Sequence, residues 1–286
     1  AYELPRRFLR SKAQLLGMDT LGFQDLEAPL TIVERAQVRW SRAQEDIETS
    51  FSHWNPELGA FAQKAFAQEW IDAQPRAGKR PGGFCTGSPE IEQCRIFMTF
   101  NDTIGDVMTL AHELGHAYHN EAMAGLRYFA KGYPMTLAET ASTFAESVLC
   151  RTLLESPDSS DADRLVVLDT CMDRHAAFLL NIPMRFLFED RFYTERIEGP
   201  VSLTRTKELM LQAQRETYAD ALDPEQMDPW FWASKMHFFI TQVSFYNFPY
   251  TFGHLFSLGV FARAQREGRG FHKTYLELLR FSGSDT

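Results

Sequence analysis

The five residues His112-Glu113-Leu114-Gly115-His116 have the types and spacing of a metal-dependent hydrolytic site. On a helix, residues four apart lie on one face, so both imidazoles can bind a single ion. Glu113 stands beside them, where its carboxylate can take a proton from a metal-held water molecule. An H-E-x-x-H pattern on a helix is typical of zinc peptidases, in which this Glu is the general base. The motif therefore predicts peptide hydrolysis at a zinc site.

The residues around the motif predict a helix over 103–124, with an N-cap in Asn101-Asp102-Thr103 and a C-terminal stop at Gly125. A largely buried helix is expected because apolar residues fall among its polar ones: Val107, Met108, Leu110, Ala111, Leu114 and Tyr118. A metzincin would have Gly at position 119 and His at 122, where this chain has His119 and Ala122. That class of metalloprotease is excluded.

A catalytic zinc site takes three protein ligands and leaves a fourth position open, so one ligand must come from downstream. Glu121 lies on the motif's own helix, but five residues after His116 and rotated away from the ligand face. Glu139 and Glu146 lie two turns apart on one face of the next predicted helix, which can pack antiparallel to the first. Spacing alone does not choose between these two carboxylates.

Hydrophobic periodicity predicts a mainly α chain with one small β element. The helices are predicted over 36–52, 57–74, 103–124, 136–155, 162–197, 204–220, about 229–245 and about 250–266. The best strand candidate is 94–100, with a possible partner at 83–86, and the Gly- and Pro-rich segment 76–83 predicts a solvated loop. No long linker divides the chain, so we predict one catalytic domain over 1–286.

Composition excludes several classes of protein. Hydrophobic residues make up 44% of the 286 residues and charged residues 23%, which excludes disorder of the bulk of the chain. With 29 basic and 38 acidic residues, the chain lacks an overall cationic surface for nucleic acid. No apolar stretch approaches the roughly 18–20 residues of a membrane span. The four cysteines form no C-x-x-C pair and the start has no signal-peptide pattern, so we expect a cytoplasmic protein with free thiols.

A family resemblance adds to this reading. The stretch Asp106–His119, with its H-E-x-G-H-x-x-H pattern, resembles the active-site helix of oligoendopeptidase F, in the thimet oligopeptidase family of zinc metallopeptidases. Leu137–Glu146 resembles the family's second ligand helix. The resemblance implies a zincin-type multi-helical catalytic domain with a small β-sheet or hairpin beside the active-site helix.

The same resemblance assigns roles to residues. It implies one Zn²⁺ per chain on His112, His116 and Glu139, with Glu146 behind the ligands as an orienting carboxylate. We expect His119 behind the ligands as well, because three ligands already complete the site.

Two other segments resemble substrate-binding parts of the family. Pro81–Thr86 and Phe97–Asn101 resemble a loop and an edge strand that hold the substrate backbone, and such a strand can pair with an extended peptide. Phe245–Gly253, together with His237, resembles a segment whose His and Tyr side chains face the scissile carbonyl. The resemblance thus implies that His237, with Tyr246 or Tyr250, stabilises the charge that develops on the carbonyl oxygen.

The resemblance covers nearly the whole chain, and Arg7–Gly17 resembles a segment midway along the family's polypeptide, which is about twice this long. The chain is therefore expected to be a C-terminal catalytic portion, with the missing N-terminal half forming the other wall of a substrate channel. We predict a zinc-dependent endopeptidase that hydrolyses short peptides. The alternatives are a peptide- and zinc-binding fragment with little activity of its own, and a metallo-aminopeptidase.

Overall fold

The computed structural model describes residues 2–30, 37–88 and 90–283. Its helices are α1 (Glu3–Leu15), α2 (Trp40–Trp54), α3 (Pro56–Ala67), α4 (Ile104–Ala122), α5 (Met135–Glu155), α6 (Asp161–Ala176), α7 (Ile182–Glu198), α8 (Leu203–Tyr218), α9 (Phe231–Ser234), α10 (Phe248–Glu267) and α11 (His272–Phe281). Its strands are β1 (Ile71–Asp72), β2 (Gly83–Ser88) and β3 (Gln93–Met98). The described chain is mainly helical with one small sheet, as the sequence predicts.

The chain divides into two compact units. The first contains the described residues of Ala1–Glu34 together with Asp169–Thr251, and the second contains those of Arg35–Leu168 and Phe252–Thr286. The first unit packs its core between α1, α7, α8 and α9 through Leu9, Ala13, Met184, Phe188, Leu209, Met210, Ala213 and Phe231. The expectation of one catalytic domain over 1–286 stays a prediction.

The sheet of the second unit is built around β3. This strand pairs in parallel with β1 and antiparallel with β2, which gives the order β1-β3-β2 and leaves β2 at one edge. Cys94, Ile96 and Met98 alternate along β3 and are buried, which is the pattern of a strand with one covered face. Both β2 and β3 pack on α4. The predicted strand pair is therefore confirmed, with β1 as an addition.

A capping box sets the first turn of α4. The Thr103 hydroxyl accepts a hydrogen bond from Asp106 N at 3.1 Å, and the Asp106 carboxylate accepts one from Thr103 N at 3.1 Å. The same carboxylate accepts from Asn101 N at 2.9 Å. Because these bonds satisfy backbone donors that a helix start leaves open, they fix where α4 begins. The start also fixes which face of α4 the two motif imidazoles occupy.

The predicted helix over 57–74 is wrong in its second half. α3 ends at Ala67, and Glu69 has a φ of 54°, a left-handed conformation that a helix cannot continue through. Trp70 O then accepts a hydrogen bond from Ile96 N at 2.9 Å, and the next two residues form β1. The apolar residues after Ala67 thus serve the sheet rather than a helix face.

The predicted helix over 229–245 is also wrong. Only Phe231–Ser234 and a 3₁₀ turn at Met236–Phe239 are helical, because Lys235 and Ile240 adopt extended backbone conformations. The predicted 162–197 helix consists of α6 and α7 joined through a π-helical turn at Ala177–Asn181. Pro183 follows this turn, where its missing N–H removes a helical hydrogen bond.

Two expectations from composition have structural counterparts. Among the described residues, no helix has the length and apolarity that crossing a membrane would require. Cys85 and Cys94 are free thiols, as expected. Cys150 and Cys171 are each disulfide-bonded, so the expectation of four free thiols is wrong for these two.

Candidate active site

Three predicted metal ligands converge in the second unit. His112 Nε2 and His116 Nε2 lie 3.2 Å apart across one turn of α4. Glu139 Oε2, on α5, lies 3.2 Å from His112 Nε2 and 3.4 Å from His116 Nε2. Atoms bound tetrahedrally to one ion at about 2.0–2.2 Å lie roughly 3.3–3.6 Å from each other. These side chains therefore form a group that could hold a metal ion.

The protein around the group orients its ligands. His112 Nδ1 donates a hydrogen bond to Glu146 Oε1 at 2.5 Å, which directs Nε2 toward the other two ligands. The Ser142 hydroxyl donates to Glu139 Oε2 at 2.8 Å. Between 10% and 20% of each of the four His and Glu side chains is exposed, so the group is open toward solvent on one side. An open side is what a catalytic metal site requires for water and substrate.

The electrostatics of the group favour a charged imidazole on His112 and a charged carboxylate on Glu139. Burial alone would lower the pKa of His112, but the hydrogen bonds and charges of Glu139 and Glu146 raise it to about 10. Burial alone would raise the pKa of Glu139, but His112 and His116 hold it well below its usual range. Glu139 thus stays anionic, and positive charge is favoured on the His112 imidazole. Such an arrangement attracts a cation between the three ligand atoms.

The close approach of α4 and α5 depends on Gly115. A Cβ atom at this position would lie 2.5 Å from Ala141 O and 2.6 Å from Ser142 Cα, both of which are backbone atoms. Gly253, on α10, allows a similarly close approach to α5, because a Cβ atom there would lie 2.6 Å from the Cβ of Glu139. The glycine inside the motif therefore lets the ligand helices approach at backbone distance.

The predicted general base lies against the β2 backbone. Glu113 is buried, with 5% of its surface exposed, and a Cβ atom at Gly83 would lie 3.0 Å from Glu113 Oε1. The same Cβ would lie 3.3 Å from the Cγ2 atom of Thr109, one turn earlier on α4. The first residue of β2 is thus part of the wall around this carboxylate.

The loop that leads to Gly83 is largely exposed, as the sequence predicts, but the side chain of Lys79 is not solvated. The Lys79 side chain is 1% exposed, and its ammonium group donates to Asp72 O, Asp72 Oδ1 and Gln74 O at 2.9, 3.0 and 3.1 Å. Arg76 forms two further bonds of 2.7 Å to the Asp72 carboxylate, and both cations hold the pKa of Asp72 well below its usual range. The spacing of Asp72, Arg76 and Lys79 could have indicated this cluster before the structure was known.

His119 lies on α4 but its hydrogen bonds lead away from the ligands. Its Nε2 atom lies 3.2 Å from Leu279 O and 2.8 Å from Ser282 Oγ. Its ring stacks on Tyr133 with the ring centres 4.3 Å apart, and burial lowers its pKa to about 4. This histidine connects α4 to the end of α11. The role expected for it behind the ligands stays a prediction.

His237, Tyr246 and Tyr250 come together in the first unit. The ring centre of His237 lies 5.2 Å from that of Tyr246 and 6.3 Å from that of Tyr250, and the two tyrosine rings are 6.3 Å apart. Just before Tyr246, Phe245 has a φ of 55°, which is strained for a bulky residue. Its N–H donates to Glu189 Oε1 at 2.7 Å, and this bond stabilises the strained conformation.

The sequence matches one known protein family over most of its length. The family described as Peptidase family M3 matches residues 30–286.

The chain belongs to peptidase family M3.

Relatives within this family are longer than the chain. An oligoendopeptidase F homolog from Lactococcus lactis subsp. lactis is 26% identical over 284 residues, which are 98% of this chain and 46% of the relative. The oligopeptidase PepF of Bacillus subtilis is 21% identical over 283 residues, which are 98% of this chain and 42% of the relative. The chain thus spans about half the length of the curated relatives it matches.

Solved structures agree on the fold of this M3 chain. A putative oligoendopeptidase F from Bacillus anthracis has a TM-score of 0.77 at 18% identity, covering 100% of this chain and 48% of its own. PZ peptidase A, solved with an inhibitor, has a TM-score of 0.77 at 20% identity, covering 99% of this chain and 50% of its own. At these identities the likeness establishes the fold.

The close helix packing generates a prediction. Gly115→Ala should destabilise the M3 chain by about 1–3 kcal/mol and weaken the binding of a metal ion by the three ligand side chains, because the added Cβ meets the backbone of α5. Gly105→Ala, on the same helix, is the control: its Cβ would lie 3.6 Å from Thr103 Oγ1, an ordinary contact. Urea denaturation and zinc titration would measure both effects. Equal zinc affinity for the two variants would contradict the role of Gly115.

Proposed function

We propose that this chain is the catalytic portion of a zinc-dependent endopeptidase that hydrolyses short oligopeptides. The supporting observation is the spacing of 3.2–3.4 Å among His112 Nε2, His116 Nε2 and Glu139 Oε2, with Glu113 on the adjacent helix position. Nitrogen and carboxylate donors at this spacing suit Zn²⁺, and membership in family M3 agrees with a peptidase. His112, His116 and Glu139 would hold the ion.

When bound, zinc would supply Lewis acidity for the substrate carbonyl and lower the pKa of water. Glu113 would take a proton from the attacking water and return it to the leaving amine. Its buried position beside Gly83 supports this assignment, because a general base must be held within hydrogen-bond reach of the proton it abstracts. Glu146 would keep His112 oriented through its Nδ1 hydrogen bond.

Two further groups would contact the substrate. Tyr246 or Tyr250, with His237, would donate hydrogen bonds to the carbonyl oxygen during attack, and their shared cluster supports this proposal. The edge strand β2 would pair with an extended peptide backbone, since β3 occupies one of its sides.

The proposal includes a partner and a location. An N-terminal half that this chain does not include would form the other wall of the substrate channel, and the coverage of about half of each relative supports this. A cytoplasmic location stays a prediction.

The general base gives the first test. Glu113→Gln should retain zinc but lower kcat about 10²–10⁴-fold, because the amide cannot accept the proton. Cleavage of an internally quenched peptide, with and without a chelator, would measure this, alongside zinc content by elemental analysis. Blocking the N-terminus of the peptide separates an endopeptidase from an aminopeptidase. Normal cleavage by Glu113→Gln would exclude this base, and zinc binding without any cleavage by the unmodified chain would favour the fragment alternative.

The two carboxylates of α5 give the second test. Glu139→Ala should lose zinc, because only two ligands remain, whereas Glu146→Ala should weaken zinc binding about 10–100-fold through loss of the His112 orientation. Competition with a chromogenic chelator would measure both affinities. If Glu146→Ala lost zinc and Glu139→Ala retained it, the two roles would have to be exchanged.

The contact of Gly83 with the general base Glu113 gives the third test. Gly83→Ala should lower kcat by about tenfold or more with zinc still bound, because its Cβ would push the Glu113 carboxylate out of position. Gly87→Ala on the same strand is the matched control, since its Cβ would lie 3.7 Å from Asn120 Oδ1. Steady-state kinetics on one neutral peptide would compare them. An unchanged kcat for Gly83→Ala would show that β2 does not position the base.

A further inference from the structure

Two basic side chains of the first unit share one aromatic ring. Arg185, on α7, has its Cζ atom 5.2 Å from the ring centre of Phe231, and Lys235 has its Nζ atom 5.0 Å from the same centre. Phe231 is buried, while both basic side chains keep part of their surface in solvent. Both cations therefore lie within 5.2 Å of the same ring centre, and a dissolved ligand can reach each of them.

The charges of these cations lower the pKa of neighbouring basic groups. Burial lowers the pKa of Lys235, and the charge of Arg185 lowers it further. The pKa of His237 is lowered by burial and then by the charges of Arg185 and Lys235. Arg185 and Lys235 are thus two like charges in one neighbourhood, and they favour the neutral form of the His237 imidazole.

Three other basic side chains of this unit have carboxylate partners: Arg10 with Asp220 at 3.0 Å, Lys12 with Asp173 at 2.6 Å and Arg205 with Glu195 at 2.7 Å. Within the described ranges, neither Arg185 nor Lys235 has a carboxylate oxygen within 4.0 Å. The charge of Glu27 acts on both cations and that of Asp228 acts on Lys235, in each case from beyond the 4.0 Å of an ion pair. A partly buried cation that no carboxylate contacts directly can take an external anion.

Neutral side chains hold the Arg185 guanidinium in one orientation. Its Nε atom donates to Asn181 Oδ1 at 2.7 Å, and its Nη1 atom donates to Asn247 Oδ1 at 3.0 Å. Asn247 is fully buried, so this anchor is fixed. A guanidinium has five N–H donors, so these two bonds leave three for a ligand. The Asn181 and Asn247 side chains thus orient the guanidinium group without neutralising its charge.

We propose that Arg185 and Lys235 form a binding site for a carboxylate group of the peptide substrate. The proposal rests on the proposed peptidase function and adds a preference for anionic peptides to it. Guanidinium and ammonium groups are the side chains that bind carboxylates through charge-assisted hydrogen bonds. The C-terminal carboxylate and the side chains of Asp and Glu offer the same chemistry, and the experiment below distinguishes them.

Two matched pairs of quenched peptides test the site. The first pair differs only in a C-terminal acid or amide, and the second differs only in one internal Asp or Asn. The zinc-loaded protein should cleave the acid member of one pair with about a 10–100-fold higher kcat/KM, mainly through a lower KM, as expected for a charge-assisted hydrogen bond. The pair that shows the preference identifies the source of the carboxylate. No preference in either pair would overturn the proposal.

Variants locate the preference. Arg185→Gln should remove most of the preference in kcat/KM for the acid peptide over its amide. Glutamine can still donate to one of the asparagines, but it carries no charge. Lys235→Gln should reduce the ratio independently, and thermal unfolding would show that both variants fold. Arg191→Gln is the control on the same helix, because Arg191 pairs with Glu216 at the surface. This variant should keep both the kcat/KM and the acid-over-amide preference of the unmodified protein. An unchanged ratio in folded Arg185→Gln and Lys235→Gln would overturn the proposal.

Binding measured by calorimetry separates this proposal from the peptidase proposal. The acid peptide should bind more tightly than its amide to the Glu113→Gln protein, and Arg185→Gln in that background should remove the difference. If no peptide is cleaved by the unmodified protein but this difference in Kd remains, the peptidase function fails and the carboxylate site stands. If cleavage proceeds and no difference in Kd appears, the carboxylate site fails alone.

Discussion

The geometry of the candidate site depends on how closely α4 and α5 approach each other. At Gly115 the two helices meet at backbone distance, since even one added carbon would lie 2.5 Å from Ala141 O. This contact places Glu139 within 3.4 Å of both motif imidazoles, and it also brings Glu146 to the far nitrogen of His112. Interiors packed this tightly transmit small displacements rather than absorbing them. Ligand spacing and helix packing are therefore one property of the second unit.

The acids and imidazoles of the site are costly to bury without a cation. Glu139 and Glu146 are both buried, and each has a His112 nitrogen as a neighbour. Desolvation opposes the charges of His112 and Glu139, and the mutual attraction of acid and imidazole offsets it. A doubly charged ion would replace the shared protons of the imidazoles as the source of positive charge. Folding of the second unit and metal binding are expected to be thermodynamically coupled for this reason.

Local sequence carried most of the information on the second unit. The H-E-x-x-H pattern, the N-cap at Thr103 and the Glu139–Glu146 spacing were enough to predict α4, α5 and the ligand face, because each depends on residues within a few turns. Spacing alone left Glu139 and Glu146 open, and the family resemblance chose between them. The break at Glu69 was missed because a left-handed residue leaves no periodic signal. The bonds of Lys79 to Asp72 are local, so the spacing could have indicated them, whereas Arg185 has a partner, Asn247, that only the fold brings near.

The position of β2 at the sheet edge has a consequence for which molecules such a protein would digest. A segment that adds to β2 must present its own backbone donors and acceptors unpaired over several consecutive residues. Segments inside folded proteins have already satisfied those groups in helices and sheets, and releasing them costs unfolding free energy. Under the proposed endopeptidase function, native proteins would therefore be spared without any dedicated inhibitor, while unstructured fragments would be consumed.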